Sequence, residues 1–176
     1  MSYILKKKIA DSFQGLVEEK GFKRVSITLI MKRAEVRRPT FYDYFKDKYD
    51  LLEWVVNDSL EELIDNNIEY LPWEDIIKLT FFDLSANWRF YTKCIREQNE
   101  FDMTNAMAEH LSYLTVQLIV KNKFQPDSPE VALIHVMSLG ISQLLTHNFL
   151  INHPDDYELL TDKAIKALDL TIAKLS

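Results

Sequence analysis

This chain predicts an all-α fold in two parts, a small N-terminal group of short helices followed by a larger helical bundle. Three observations carry that expectation. Apolar residues recur at helical spacing along most of the 176 residues, and no segment alternates as a half-buried strand would. Only 3 Gly and 5 Pro are present, too few for a turn-rich β fold or a disordered chain. The charge also divides. Residues 1–50 hold 12 Lys/Arg against 7 Asp/Glu, whereas residues 51–176 hold 9 against 20, for an overall −6. A basic N-terminal part on an acidic body is the asymmetry expected when one end alone meets phosphates.

The elements follow in order. Ile9, Phe13, Leu16 and Val17 form one apolar stripe, and Gly21 ends that helix. Ser26 is the expected N-cap of a short helix carrying Ile27, Ile30 and Ala34. Glu35-Val36-Arg37 then break the chain. Pro39 opens the next helix, Thr40 to Phe45, with Arg38 before it biased out of the helical region. Asp47 caps a long helix from Lys48 to about Asn67, with Asp50 as the return half of a capping box. After Pro72 come segments Trp73–Asn87, Arg89–Phe101, Met103–Lys123, Ser128–Phe149 and Asp155–Leu175. Breaks fall at Asn66-Asn67, around Pro126 and at Asn152-His153-Pro154. The division into domains is placed at 1–47 and 48–176.

Composition removes several function classes. No run reaches the roughly 18 apolar residues of a membrane span, and Met1-Ser2-Tyr3-Ile4-Leu5 before Lys6-Lys7-Lys8 reverses the order of a signal peptide. One cysteine, Cys94, forms no internal disulfide and reads as a buried core residue of a cytoplasmic protein. His110, His135, His147 and His153 have no cysteine partners or ligand spacing, so no metal site is expected. Asp155-Asp156 and Glu61-Glu62 read as solvated surface, and no catalytic constellation or cofactor motif appears.

Three short helices in 45 residues, the last two joined by a tight turn, have the geometry of a helix-turn-helix. The second of that pair is led by Arg37, Arg38, Pro39 and Thr40. These residue types suit groove edges and phosphates, since arginine can bond guanine bidentately. Phe41 and Phe45, four residues apart, should face the core and turn Thr40, Asp43 and Tyr44 outward, with Tyr42 to the side. Tyrosine hydroxyls commonly meet phosphate oxygens. Lys48 adds a cation beside a helix N-terminus, which favours anions.

The run Ala34-Glu35-Val36-Arg37-Arg38-Pro39-Thr40-Phe41-Tyr42-Asp43-Tyr44-Phe45-Lys46-Asp47-Lys48-Tyr49-Asp50-Leu51-Leu52 resembles the TetR-family signature. The resemblance covers residues 6–52, and its Thr-Phe-Tyr-x-x-Phe-x-x-Lys core is specific. It implies phosphate contacts from Tyr42, Tyr44 and Lys48, and groove contacts from Arg37, Arg38, Pro39 and Thr40, with a lesser role for Thr28. Two departures stand out. Glu35 occupies the usual turn glycine, a cost of about 1 kcal/mol if its backbone is left-handed. Arg37 occupies the usual Ser/Thr cap, a loss of about 1 kcal/mol. A second stretch, Arg89-Phe90-Tyr91-Thr92-Lys93 then Gln98-Asn99-Glu100-Phe101, resembles a subgroup that regulates dihydroxyacetone kinase operons. That subgroup includes an activator working with a separate ligand-sensing partner protein.

In TetR-like proteins the last two long helices pair with their symmetry mates. That resemblance makes Leu133, Val136, Met137, Gly140 and Leu144 the expected dimer stripe, with Gly140 permitting close approach. Simple packing within one chain is the alternative. Phe81, Trp88, Tyr91, Phe101 and Tyr113 are the expected effector region, or else core. The partners implied are double-stranded operator DNA, a second copy of the chain, and an effector that is a small molecule or a partner protein, with no membrane. The competing readings are a ligand-induced repressor and, in another class, a helical adaptor or enzyme without DNA binding.

Overall fold

The computed structural model describes residues 3–121, 127–151 and 156–175. Met1 and Ser2, Lys123, the breaks expected at Pro126 and at Asn152-His153-Pro154, and Asp155 lie outside the described residues. Among the described residues eight α-helices follow in order: α1 Tyr3–Lys20, α2 Ile27–Arg33, α3 Lys48–Leu63, α4 Trp73–Ala86, α5 Trp88–Glu97, α6 Met103–Lys121, α7 Ser128–Leu150 and α8 Tyr157–Leu175. Among the described residues there is no strand. The chain is all-α, as its periodicity predicts.

Contacts group the chain into two compact units. One is Met1–Val56 with Asn87–Phe101, and the other is Asn57–Ala86 with Asp102–Ser176. The division falls inside α3, nine residues beyond the 47/48 position read from sequence, and α5 belongs with the N-terminal helices. Sequence order could not reveal this, because α5 is recruited by its aromatic face.

The first unit is built around Phe13. Ile9, Phe13 and Val17 of α1 are fully buried. The Phe13 ring meets Phe22 edge-on at 6.1 Å and Phe90 of α5 at 5.9 Å. Gly21 ends α1 at φ 86°, a left-handed position that glycine takes without strain. A short 3-10 helix follows at Phe22–Arg24, and Ser26 then caps α2 by accepting a hydrogen bond from the Leu29 N–H at 3.3 Å. Arg33 of α2 returns to Glu19 of α1 at 2.6 Å, and Gly15 leaves room for that guanidinium, which lies 2.8 Å from where its Cβ would stand.

Two helix ends differ from the sequence expectation. The Lys48–Asn67 helix stops at Leu63, because Asn67 Nδ2 turns back onto the carbonyls of Glu62 (2.9 Å) and Leu63 (3.1 Å). Asp65–Asn67 then form a 3-10 turn. The Arg89–Phe101 helix stops at Glu97, because Gln98 is extended and its side chain builds a turn. Gln98 Oε1 accepts from the N–H groups of Glu100 and Phe101, both at 2.9 Å.

In the second unit α6 and α7 run antiparallel. Thr104 donates to Thr146 at 3.1 Å near one end, and Ser112 faces His135 at 3.4 Å nearer the other. A reciprocal capping box starts α7: Asp127 accepts from Glu130 N–H at 3.1 Å, and Glu130 accepts from Asp127 N–H at 2.8 Å. Residues Pro129–Leu150 are long and apolar enough, by length and composition, to cross a membrane. The face of α7 buried in the protein, however, carries Ser138, Ser142, Thr146 and Asn148, the pattern of a helix packed on other helices.

Glu35 has φ 55°, so the turn does impose a left-handed backbone on a non-glycine residue. Glu35→Gly is expected to stabilise the protein by about 0.5–1 kcal/mol, seen as a rise of roughly 2–3 °C in a thermal melt. An unchanged or lower melting temperature would mean that the Glu35 side chain offsets the strain.

Candidate nucleic-acid interface

The segment after the Glu35 turn is short and tightly wound. Arg38–Asp43 form a 3-10 helix, not the Thr40–Phe45 helix expected, and Tyr44 ends it at φ −123°. The extended residue is Arg37 (ψ 138°), not Arg38. Pro39 stands at the second position, where its missing N–H would have no helical acceptor anyway. Arg37 supplies no side-chain cap, as its identity suggests.

The anchors are aromatic. Phe41 and Phe45 are buried, with ring centroids 5.6 Å apart, and Phe45 continues to Trp54 of α3 at 5.7 Å. With these two rings held inside, the segment turns Arg37, Arg38, Pro39, Tyr42 and Asp43 to solvent, and Thr40 and Tyr44 are half-buried. Arg38 and Tyr42 converge. The guanidinium donates to the Tyr42 hydroxyl at 3.3 Å and lies 5.9 Å from its ring centre. One of five guanidinium donors is thereby used, and the fork stays exposed. Thr28 is exposed on the first turn of α2, and the exposed cations Lys23 and Arg24 precede it. Lys23 and Arg24 were not among the sequence candidates, although their placement between two helices of a basic module was the available signal.

Lys48 departs from expectation. Its ammonium points inward, donating to the carbonyls of Phe22 (3.0 Å) and Val25 (3.3 Å) and lying 4.4 Å from the Phe22 ring centre. Burial lowers its pKa below the ordinary lysine value, with the Glu97 carboxylate opposing that shift. The start of α3 is likewise occupied. Asp47 Oδ1 accepts from the N–H groups of Tyr49 (2.8 Å) and Asp50 (3.0 Å), and Asp50 Oδ2 accepts from Lys46 N–H at 2.7 Å. Two carboxylates therefore fill the helix end that the sequence pattern offered to phosphate.

The remaining candidates fall as follows. Leu133, Val136 and Leu144 are exposed, Met137 is half-buried, and a Cβ at Gly140 would meet nothing within 4 Å. This stripe of α7 is uncovered in the protomer. Of the aromatic set, Phe81 and Tyr91 are buried, Phe101 is half-buried, and Trp88 and Tyr113 are exposed. Trp88, Tyr91 and Phe101 belong to the first unit, and Phe81 and Tyr113 to the second, so neither unit gathers all five. Cys94 is fully buried, and burial raises its thiol pKa well above the usual value, which keeps it protonated and inert.

Comparison with known proteins places this geometry. Residues 15–55 match the family of bacterial regulatory proteins described as the tetR family. Residues 15–55 thus carry the N-terminal domain of that family at the head of an all-helical chain. The chain is 34% identical over 101 residues, 57% of this chain, to the HTH-type dhaKLM operon transcriptional activator DhaS of Lactococcus lactis. It is 33% identical over 51 residues, 29% of this chain, to the HTH-type transcriptional regulator YxbF of Bacillus subtilis. The chain spans 54% of the length of the first relative and 13% of the second. Two solved structures share the fold. The dihydroxyacetone kinase operon activator DhaS superposes with a TM-score of 0.77 at 23% identity, over 99% of this chain and 97% of that one. A TetR-family regulator from Syntrophomonas wolfei superposes with a TM-score of 0.70 at 21% identity, over 98% and 97%.

Lys48→Ala is expected to lower stability by about 1–2 kcal/mol, because two carbonyls lose a charged donor. Its effect should appear first in a denaturant or thermal melt. An unchanged melt would return Lys48 to the solvent-facing role that the sequence suggests.

Proposed function

We propose that this protein is a sequence-specific DNA-binding transcriptional regulator that acts in the cytoplasm as a homodimer on a palindromic operator. The observation that carries the reading is the recognition segment. Phe41 and Phe45 hold it in the core, while Arg37, Arg38, Pro39 and Tyr42 are presented to solvent. Arg37 and Arg38 would address base edges in the major groove, joined by Pro39 and Thr40. Tyr42, Tyr44 and Thr28 would address the backbone. Charge supports the orientation, since the first 50 residues carry a net +5 and the remainder −11.

The uncovered stripe Leu133, Val136, Met137, Gly140 and Leu144 supports an isologous dimer through α7, which would set two recognition segments about one DNA turn apart, ~34–36 Å. The reading head would be the unit Met1–Val56 with Asn87–Phe101, and the effector and dimerisation part the unit Asn57–Ala86 with Asp102–Ser176. Likeness to DhaS supports activation of a dihydroxyacetone kinase operon, with a partner protein as effector. A small molecule bound directly is the second reading. A thermal-shift screen with metabolites separates the two, because a strong shift of the protein alone favours the small molecule.

Fluorescence anisotropy with upstream DNA, at salt concentrations of about 100 and 200 mM, tests DNA binding. Saturable binding that survives scrambled competitor is the expected result, and equal affinity for scrambled DNA would remove sequence specificity. Arg38→Ala is expected to lose about 1–3 kcal/mol and to alter base preference at one position. A uniform loss across all sequences would assign it to phosphate. For the dimer, Val136→Glu and Leu144→Glu should give monomers in sedimentation with unchanged helical circular dichroism, since both side chains are exposed in the protomer. A dimer that survives both changes would move the interface elsewhere.

A further inference from the structure

The motif spanning Phe90 to Phe101 has no part in the recognition segment, yet its side chains close on the start of the helix-turn-helix. Phe90 packs on Phe13. Lys93, one turn on, donates through Nζ to the Glu18 carbonyl in the last turn of α1. One further turn on, Glu97 Oε2 accepts from the Lys23 backbone N–H at 2.9 Å. Gln98 then ends the helix in its own turn.

The segment that receives Glu97 is shaped for it. A Cβ at Gly21 would stand 2.7 and 2.9 Å from the two Glu97 carboxylate oxygens. A side chain there would push the carboxylate aside, and the φ of 86° favours glycine independently. From the other side Lys48 of α3 holds the carbonyls of Phe22 and Val25, and Glu97 is close enough to act on its charge. Residues 21–25 are therefore gripped by an anion from α5 on an N–H and a cation from α3 on two carbonyls. Ser26, the cap of α2, follows directly. Contacts some 75 residues apart in sequence thus fix the point from which α2 sets out.

We propose that Glu97, seconded by Lys93, is a positioning residue of the DNA-reading unit. From α5 it sets the pose of residues 21–25, and through them of α2 and the recognition segment. This rests on the DNA-binding reading above and adds to it a part of the reading head that lies outside the N-terminal sequence. The Phe-Tyr-x-Lys…Gln-Asn-x-Phe stretch thereby acquires a role, which is to dock α5 onto α1 and to turn the chain away at Gln98. Glu97 touches no DNA in this scheme and works through the Lys23 N–H.

The test uses the full chain as parent, Glu97→Ala and Glu97→Gln. The readouts are hydrogen exchange of the backbone amides of residues 22–33 and affinity for operator DNA well below each melting temperature. Glu97→Ala is expected to speed exchange at Lys23 and along α2 by about tenfold or more, and to weaken operator binding by about tenfold. Glu97→Gln, whose amide oxygen still accepts from Lys23, should stay within roughly threefold of the parent in both. Parent-like exchange and affinity in Glu97→Ala would overturn the proposal. So would a Glu97→Gln loss as deep as that of Glu97→Ala, which would tie the effect to surface charge. A merely stabilising residue would lower the melting temperature and leave affinity at low temperature intact, which also overturns it. Should Glu97→Ala fail to fold, Glu97→Asp, with its carboxylate withdrawn by one methylene, is expected to fall between parent and loss. If the parent binds no DNA, the DNA-binding reading fails on its own, and the exchange data alone decide whether Glu97 holds residues 21–33.

Discussion

The ring of Phe13 is where the N-terminal unit closes. It is fully buried and meets both Phe22 and Phe90 in T-shaped contacts. Each edge-to-face contact adds about 0.5–1.5 kcal/mol beyond the area it buries. More important is what the two partners belong to. Phe22 begins the passage into α2, and Phe90 lies near the start of α5. One side chain of α1 thus ties together three stretches of chain, and the polar grips of Lys48 and Glu97 are assembled around that apolar point.

A second aromatic cluster does the corresponding work for the recognition segment. Phe41, Phe45 and Trp54 form a chain of rings from the 3-10 helix to α3. Lys6 of α1 lies over the rings of Phe45 and Trp54, at 5.7 and 5.4 Å. The segment has little helix of its own, no side-chain cap and a strained residue at Glu35. Its conformation is held by burial of two rings, and that leaves the intervening residues available to face outward. Alternating anchors and exposed polar groups let a six-residue helix present a defined surface without intrinsic helical stability.

The C-terminal unit is organised by the two-sided character of α7. Its inner face meets α6 through hydroxyl contacts as well as apolar ones. Its outer stripe is apolar and uncovered. A helix apolar nearly all round shows no clear amphipathic face from sequence, and the small polar residues Ser138, Ser142 and Thr146 on the buried side deepen that ambiguity.

The sequence by itself determined the helical class, most helix ends and the two rings that anchor the recognition segment, while Thr40 and Tyr44, expected outward, are half-buried and Tyr42 is exposed. The class, ends and anchors follow from local physics: apolar period, glycine beyond a C-terminus, Ser26 and Asp47 as caps, and the four-residue spacing of Phe41 and Phe45. Glu35 was legible as a strained turn for the same reason. Only the tertiary structure decided the direction of Lys48, because a long flexible side chain takes whichever acceptors folding brings near, here the carbonyls of Phe22 and Val25. It likewise decided the early ends of α3 and α5, where the side chains of Asn67 and Gln98 meet backbone groups that propensity does not count. Above all it decided the place of α5. The sequence marks the motif, but its meeting with Gly21 and Lys23 lies across more than seventy residues of chain. Contacts at that separation are fixed by packing around Phe13, a constraint that no local pattern contains.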